Sequence, residues 1–167
     1  IPKNTSYTFK DYFYAYGIIP KEKSEPVGAS TVDKKEEPTK TSGSARLDSV
    51  LNGTMLNNPN LNVSFREKVK QFIQEYYNQT GEVLEPTSGF RDKKYQERLW
   101  RNRKPGQLVA KNSAHSLGEA IDFGFNTNGH LAKNFKIATA IANRLGIRWV
   151  DERPHNGYTN NCFHIGR

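Results

Sequence analysis

Residues 113–125 have the sequence SAHSLGEAIDFGF, and this stretch decides the predicted fold. Side chains alternate between the two faces of an extended strand, so Ile121 and Phe123 share one face and suit a hydrophobic core. Ala120 and Asp122 then share the opposite face. This alternation predicts a strand over 119–125. Because Ala120 is small, it leaves room for a cleft, and the Asp122 carboxylate faces that cleft.

A second group can converge on the same point. Gly118 permits a tight turn that folds His115 back over the strand. Near the C-terminus, residues 162–166 have the sequence CFHIG, whose alternation puts His164 opposite its two apolar neighbours. If the two strands pair antiparallel, His164 lies beside Asp122. Two imidazoles, one carboxylate and an open position are the ligand set of a catalytic zinc site, so the pattern predicts bound Zn²⁺.

The remaining pattern predicts an α+β fold, a small antiparallel sheet with flanking helices. Ser64 and Glu67 have the spacing of a helix-capping box. Tyr95, Leu99 and Trp100 are expected to face inward from a later helix. The predicted helices cover 64–79, 92–102 and 131–145, and the predicted strands cover 82–85, 119–125, 147–151 and 162–166.

The chain divides into three predicted segments. Residues 1–20 are rich in Tyr and Phe and are interpreted as a docking segment, or alternatively as a first strand or helix of the main domain. Residues 21–45 contain almost nothing apolar, which is typical of a flexible linker. Residues 46–167 form the predicted folded domain. A docking segment followed by a linker suggests attachment to a larger assembly.

Composition narrows the classes of partner. The formal net charge is +8, which favours polyanions such as nucleic acid, anionic lipid or an acidic wall polymer, although it also serves ordinary solubility. No nucleic-acid-binding module is recognisable, and no stretch is long enough to span a bilayer. Cys162 is the single cysteine, so an internal disulfide is impossible; we expect a small buried side chain there.

The motifs resemble a known family. Ser-x-His-x-x-Gly-x-Ala-x-Asp at 113–122, Ser-Gly-Phe-Arg at 88–91 and a late His164 are similar to the D-alanyl-D-alanine carboxypeptidase family of zinc peptidases. That family includes phage L-alanyl-D-glutamate endopeptidases and shares its core with the hedgehog signalling domain. The resemblance covers 46–167 and implies that His115, Asp122 and His164 hold zinc.

The resemblance also implies roles for two further residues. Arg91 would hold a substrate carboxylate or stabilise the oxyanion of the tetrahedral intermediate, since an Arg stays charged and binds bidentately. Ser113 would lie near the polar end of the substrate. The implied substrate is a peptide of bacterial peptidoglycan, and the implied location is extracytoplasmic, at the cell wall or in a phage virion.

One position departs from the family pattern. Many members have an acidic general base three residues before the last His, but here that position is Asn161, whose amide cannot accept a proton. Asp151, Glu152 and His155 precede the last strand and are the alternative candidates. We prefer Glu152 for its reach, followed by Asp151 and then His155.

Two functions follow from these observations, and they belong to different classes. The first is zinc-dependent hydrolysis of a bond in peptidoglycan stem peptides, as a carboxypeptidase or endopeptidase. The second is an inactive zinc-bearing domain that binds wall peptide or a protein partner, an alternative that Asn161 favours. A basic nucleic-acid binder has only the charge in its favour.

Overall fold

The structure is a computed structural model that describes residues 41–167, so the predicted docking segment 1–20 and most of the linker lie outside the described residues. Its helices are α1 (Thr41–Leu51), α2 (Val63–Thr80), α3 (Lys93–Arg101) and α4 (Phe135–Arg144), and its strands are β1 (Ala120–Gly124), β2 (Arg148–Asp151) and β3 (Cys162–Gly166). Short 3₁₀ helices cover Ala114–Leu117 and Pro154–Asn156. These elements confirm the α+β class. Residues 41–45, predicted as linker, begin α1, a helix that carries Leu47 into the core.

The three strands form one antiparallel sheet in the order β1-β3-β2. The predicted pairing of the first and last strands is confirmed, and its register places Asp122 directly opposite His164. On the other side of β3, Val150 of β2 is also opposite His164. The central strand therefore carries His164 between two neighbours whose side chains point to the same face.

The core lies between the sheet and helices α2 and α4. The predicted alternation is confirmed, because the apolar side chains of β1 and β3 are fully buried on the helix side. The ring of Phe72 on α2 lies 5.7 Å from that of Phe123 and 6.1 Å from that of Phe163. The buried stripe of α2 contains Phe65, Val69, Phe72, Ile73 and Tyr76. The helices cover this face of the sheet, so the cleft lies on the opposite face.

The start of α2 differs from the predicted capping box. Asn62 is the cap, and its side-chain oxygen accepts a hydrogen bond from the Phe65 N–H at 3.1 Å. The Ser64 hydroxyl donates to that same oxygen at 2.8 Å. Ser64 therefore supports the cap instead of forming it, and the predicted pairing with Glu67 was wrong.

The predicted strand at 82–85 is absent from the described structure. Its backbone groups bond to a side chain far along the chain, since the Glu85 N–H donates to Asn128 Oδ1 at 2.8 Å and Asn128 Nδ2 donates back to the Glu85 carbonyl at 3.0 Å. Buried backbone groups must be paired, and a buried amide meets that need without a neighbouring strand. Only Ser88 bridges to β1, at Asp122.

Two helices differ in detail from their predictions. In α3 the expected inward Tyr95 is 41% exposed, whereas Gln96 is buried and donates to the Ala110 carbonyl at 2.6 Å. Because α3 packs against an irregular loop whose Ala110 carbonyl needs a donor, its inner face carries an amide. The helix predicted from 131 begins only at Phe135, since residues 131–134 form turns. No helix of the described part of the chain has the length and apolar character needed to cross a bilayer.

Candidate metal centre

A short turn delivers His115 to the sheet. The Ser113 hydroxyl accepts a hydrogen bond from the His115 N–H at 3.3 Å, which starts the 3₁₀ helix 114–117. Gly118 ends it with φ of +67°, a left-handed conformation that glycine adopts without a steric penalty. The predicted turn at Gly118 is thus present, and it buries His115 beside β1.

The structure brings the three predicted ligands together. His164 Nδ1 lies 2.7 Å from Asp122 Oδ1, and His115 Nε2 lies 3.2 Å from Asp122 Oδ2. The donor atoms all lie within 4.8 Å of one another, and they form a group that could hold a metal ion. This spacing is small enough for one cation to reach all three donors.

The outer nitrogen of His115 supports a metal-binding orientation. His115 Nδ1 lies 2.8 Å from the Gly89 carbonyl oxygen. Because a carbonyl only accepts hydrogen bonds, Nδ1 must carry the proton, which leaves the Nε2 lone pair directed at Asp122. Metal-ligating histidines typically donate their other ring N–H in this way. The donor set and its orientation therefore fit a zinc ion.

The charges in the site are strongly coupled. Burial alone would raise the pKa of the Asp122 carboxyl, but hydrogen bonds and charge from His115 and His164 lower it well below its usual range. Burial alone would lower the pKa of His164, but its hydrogen bond to Asp122 and the charges of Asp122 and Glu152 raise it. The carboxylate is therefore anionic at neutral pH, as a metal ligand must be.

Arg91 lines the cleft and contacts the Asp122 carboxylate. Its Nη2 is 3.1 Å from Asp122 Oδ2, and its Nε and Nη2 donate to the Ser88 hydroxyl at 3.1 and 2.6 Å. The Asp122 N–H donates to the Ser88 carbonyl at 2.9 Å, which fixes this motif along the free edge of β1. Arg91 is therefore close to the metal site, as the Ser-Gly-Phe-Arg motif predicted.

Glu152 faces the cleft from the adjoining strand. Val150 is opposite His164, so Glu152, two residues further on, points to the same face. Its N–H donates to the Cys162 carbonyl at 2.9 Å. Its Oε2 accepts from Asn160 Nδ2 at 2.7 Å and contacts Cys162 Sγ at 3.3 Å. The carboxylate is thereby held at the cleft wall, next to the ligand strand.

The other two base candidates are not brought to the site. Asp151 accepts two hydrogen bonds from the Arg153 guanidinium, at 2.8 and 2.7 Å, and these lower the pKa of Asp151. The ring of His155 is 61% exposed and lies 3.9 Å from Asp151. Neither residue lines the cleft. The structure therefore does not bring the second and third preferences for the base into the cleft; strand parity turns Asp151 away from His164, and His155 lies on the turn that follows.

Asn161 occupies the position where many family members have an acid. It adopts φ of +49°, and its side-chain amide donates to Asn126 Oδ1 at 2.9 Å. Cys162 beside it is buried, as expected, and burial raises the pKa of its thiol far above the usual range. Neither side chain is suited to accept a proton near neutral pH.

The ligands lie in a cleft of about 1040 Å³. One wall consists of α3 and the loop 107–112, and it includes the apolar side chains of Tyr95, Leu99 and Leu108. The other wall is polar and includes Thr87, Asn126, Thr127, Glu152 and Asn160. Sequence reasoning did not place the loop 107–112, Asn126 or Thr127 in the cleft, because no motif marks them. Ser113 lines the cleft, as the resemblance implied.

Comparison with known families agrees with this site. The sequence model of the VanY family, D-alanyl-D-alanine carboxypeptidase, matches residues 58–158. That span includes Arg91, His115, Asp122 and Glu152, and His164 follows it on β3. No curated protein shows significant similarity to the chain. The match supports a carboxypeptidase-like peptidase of peptidoglycan, and the chain belongs to the VanY family of D-alanyl-D-alanine carboxypeptidases.

Proposed function

We propose that the protein is a zinc-dependent peptidase that hydrolyses a peptide bond in peptidoglycan stem peptides, with the metal held by His115, Asp122 and His164. The observation that carries the proposal is the convergence of the three donor atoms within 4.8 Å of one another. The proton held between His115 Nδ1 and the Gly89 carbonyl supports it, since it directs the other ring nitrogen inward.

The residue types match those of a catalytic zinc site. Bound zinc supplies Lewis acidity, which makes water nucleophilic near neutral pH and polarises a carbonyl. Asp122 would contribute one negative charge, and each imidazole would bind through a nitrogen that has lost its proton to the solvent. Three protein ligands leave a position open toward the cleft, in contrast to the four ligands of structural sites.

Glu152 is the proposed general base. Its carboxylate lines the cleft on the same face as His164, and Oε2 is held by Asn160. Within the described residues, Oε1 accepts no hydrogen bond, which leaves an acceptor for the proton of the attacking water. The same carboxyl can then return that proton to the leaving amine. Glu152 thus takes the role of the acidic base that many family members have at the position of Asn161.

Arg91 is proposed to bind the developing negative charge or a substrate carboxylate. Its guanidinium has five donors and uses only some of them on Ser88 and Asp122. The remaining donors are available to an oxygen in the cleft. Its contact with Asp122 also orients the ligand carboxylate, so Arg91 has a positioning role in addition.

The test is digestion of purified peptidoglycan by the full chain, followed by mass spectrometry of the released peptides. We expect shortened or separated stem peptides, no products after treatment with a chelator, and recovery when zinc is restored. Products that persist in chelator would refute zinc dependence. The mass of each product would identify the bond that is cleaved.

We predict that Glu152→Gln lowers kcat by roughly 10²- to 10⁴-fold, the contribution typical of general base catalysis. The amide keeps the size of the side chain but cannot accept a proton. Zinc content and the unfolding midpoint should stay unchanged. Asp151→Asn, one residue away and turned from the cleft, is the matched control and should keep the wild-type rate. Equal rates for Glu152→Gln and wild type would place the base elsewhere.

We predict that Arg91→Ala lowers kcat/KM by about 10²- to 10³-fold, comparable to the loss of one oxyanion donor. Arg91→Lys should recover only part of the activity, because an ammonium lacks the planar fork of donors. Arg66→Ala on α2, remote from the cleft, controls for the loss of one positive charge. Steady-state kinetics on a soluble stem peptide decide the matter, and unchanged kinetics for Arg91→Ala exclude it from the site.

A second function, an inactive zinc-bearing domain that binds wall peptide or a protein partner, is favoured by Asn161 alone. It predicts that the natural chain binds stem peptide but does not hydrolyse it. Under this alternative, Asn161→Asp would create hydrolysis that the natural chain lacks. Turnover by the natural chain excludes it.

We also propose an extracytoplasmic location, at the cell wall or in a phage virion, because the substrate lies there. Attachment to a larger assembly through residues 1–45 stays a prediction. Immunodetection of the chain in fractionated cells and purified virions would test both.

A further inference from the structure

The positive charge of the described domain is concentrated beside the cleft. We define the basic lobe as residues 93–111, which comprise α3 and the loop that follows it. This segment carries seven Lys or Arg residues and a single acidic residue, Glu97. The seven cations are Lys93, Lys94, Arg98, Arg101, Arg103, Lys104 and Lys111.

The cations of the basic lobe are exposed and largely uncompensated. All seven are exposed to solvent. Of these seven cations, only Arg101 forms an ion pair with another described residue, Glu97, at 2.5 Å. An exposed set of like charges without partners produces a strong local positive potential, which attracts anions and raises their local concentration.

The loop of the basic lobe is held against α3, so its charges have a defined arrangement. Gln96 donates to the Ala110 carbonyl at 2.6 Å. The indole of Trp100 lies under the Arg103 guanidinium at 4.4 Å and the Lys111 ammonium at 5.1 Å. Such cation–π contacts stabilise both cations in place. Two cations of the loop are therefore held against a side chain of α3.

The basic lobe also forms one wall of the cleft. Tyr95, Gln96 and Leu99 of α3 line the cleft together with residues 107–110 of the loop. A long anion bound along the lobe would therefore run past the mouth of the cleft. Its attached neighbours would be kept within reach of the metal site.

We propose that the basic lobe is a docking surface for an anionic phosphodiester polymer of the bacterial cell wall. The choice of this polymer rests on the proposed function, because a wall polymer is tethered to the same peptidoglycan that supplies the substrate. Seven cations exceed what the few carboxylates of one stem peptide can neutralise, whereas a polymer offers a phosphate at every repeat. The three arginines add donor forks that match phosphate oxygens bidentately.

The test compares binding of the full chain to two wall preparations by co-sedimentation. One preparation keeps its phosphodiester polymer, and the other has been stripped of it with hydrofluoric acid. We expect at least roughly tenfold weaker binding to stripped walls. On intact walls, contacts with three or more phosphates should weaken by more than about 100-fold when salt rises from about 0.05 M to about 0.5 M. Equal binding to both preparations would overturn the proposal.

A charge-matched pair of variants separates the lobe from net charge. The lobe variant combines Lys93→Gln, Lys94→Gln, Arg98→Gln and Lys104→Gln, which leaves the two cations over Trp100 in place. The control variant combines Lys68→Gln, Lys133→Gln, Lys136→Gln and Arg148→Gln, four exposed cations outside the lobe. We expect the lobe variant to lose roughly 10²- to 10³-fold in affinity for intact walls and the control to lose little. Equal losses in both variants would show that only net charge matters.

Two further measurements distinguish the docking surface from the proposed peptidase function and from a nucleic-acid-binding surface. Hydrolysis of a short soluble stem peptide should be the same in wild type and the lobe variant, because none of the four substituted residues lines the cleft. If no variant hydrolyses peptide but the difference between wall preparations persists, the proposed function fails and the docking surface stands. Binding to duplex DNA without binding to intact walls would assign the lobe to nucleic acid and overturn the proposal.

Discussion

We expect Gly118→Ala to lower the free energy of unfolding by at least roughly 2–5 kcal/mol. Gly118 has φ of +67°, and a Cβ atom at this position would lie 2.0 Å from the backbone oxygen of Asn60. The neighbouring chain cannot easily withdraw, because the Asn62 N–H donates to the Gly118 carbonyl at 2.9 Å and Asn62 caps α2. A left-handed non-glycine residue costs about 1–2 kcal/mol, and overpacking against a fixed backbone adds about 1–3 kcal/mol or more.

Two other glycines separate the cost of a positive φ from the cost of the steric clash. Gly81 also has a positive φ, of +73°, but a Cβ there would meet nothing within 4 Å. Gly81→Ala should therefore lose only the conformational cost, about 1–2 kcal/mol of unfolding free energy in urea. Gly129 is likewise open and has no positive φ, so Gly129→Ala should be nearly neutral. If Gly118→Ala were no less stable than Gly81→Ala, the close approach of Asn60 would not exist in solution.

The convergence of Asp122 and His164 could be predicted because it depends on strand alternation. A strand has a period of two residues, so a shift of one residue would move every apolar side chain of β1 and β3 out of the core. Ile121, Phe123, Phe163 and Ile165 exclude that shift, and they are all fully buried. The face of Asp122 and His164 therefore followed from their apolar neighbours.

Features that depend on remote polar side chains could not be predicted. The segment 82–85 has the composition of a short strand, and Leu84 is indeed buried. The backbone N–H and carbonyl of its last residue, Glu85, are paired by the Asn128 amide, 43 residues away, and no local pattern indicates that contact. Gln96 on α3 is a similar case, because its partner is the Ala110 carbonyl of an irregular loop. In both places a buried amide replaced the expected apolar packing or strand pairing.

The choice between Asp151 and Glu152 required the register of β2. Parity alone allows one of them to face the cleft, but it does not say which one until a cross-strand partner is known. The pairing of Val150 with His164 supplies that partner and directs Glu152 toward the metal site. Asp151 then lies opposite Phe163 and binds Arg153.

We expect His164→Ala to remove zinc from the protein and to abolish hydrolysis of stem peptides. Loss of a residue that only orients a ligand typically lowers metal affinity 10- to 100-fold, so loss of a ligand itself should lower it by more than about 100-fold. His164 is the cleaner position for the test, because its side chain is 22% exposed, against 4% for that of His115. Truncation there leaves less of a cavity, so the fold should survive. His115→Ala should lose zinc as well, with an added loss of stability.

Zinc binding and activity can be followed separately. A metal that binds only the folded state raises its stability, by about 2.7 kcal/mol at a free concentration 100 times Kd. Added zinc should therefore raise the Tm of the wild type and leave that of His164→Ala unchanged. His155→Ala is the matched control, since His155 lies on an exposed turn outside the cleft and should keep both zinc and activity. Full zinc content in His164→Ala would exclude it as a ligand, because two remaining donors and a water do not match the affinity of three protein ligands. Zinc loss with retained folding would instead tie the metal to the face of β3 that strand alternation assigns to His164.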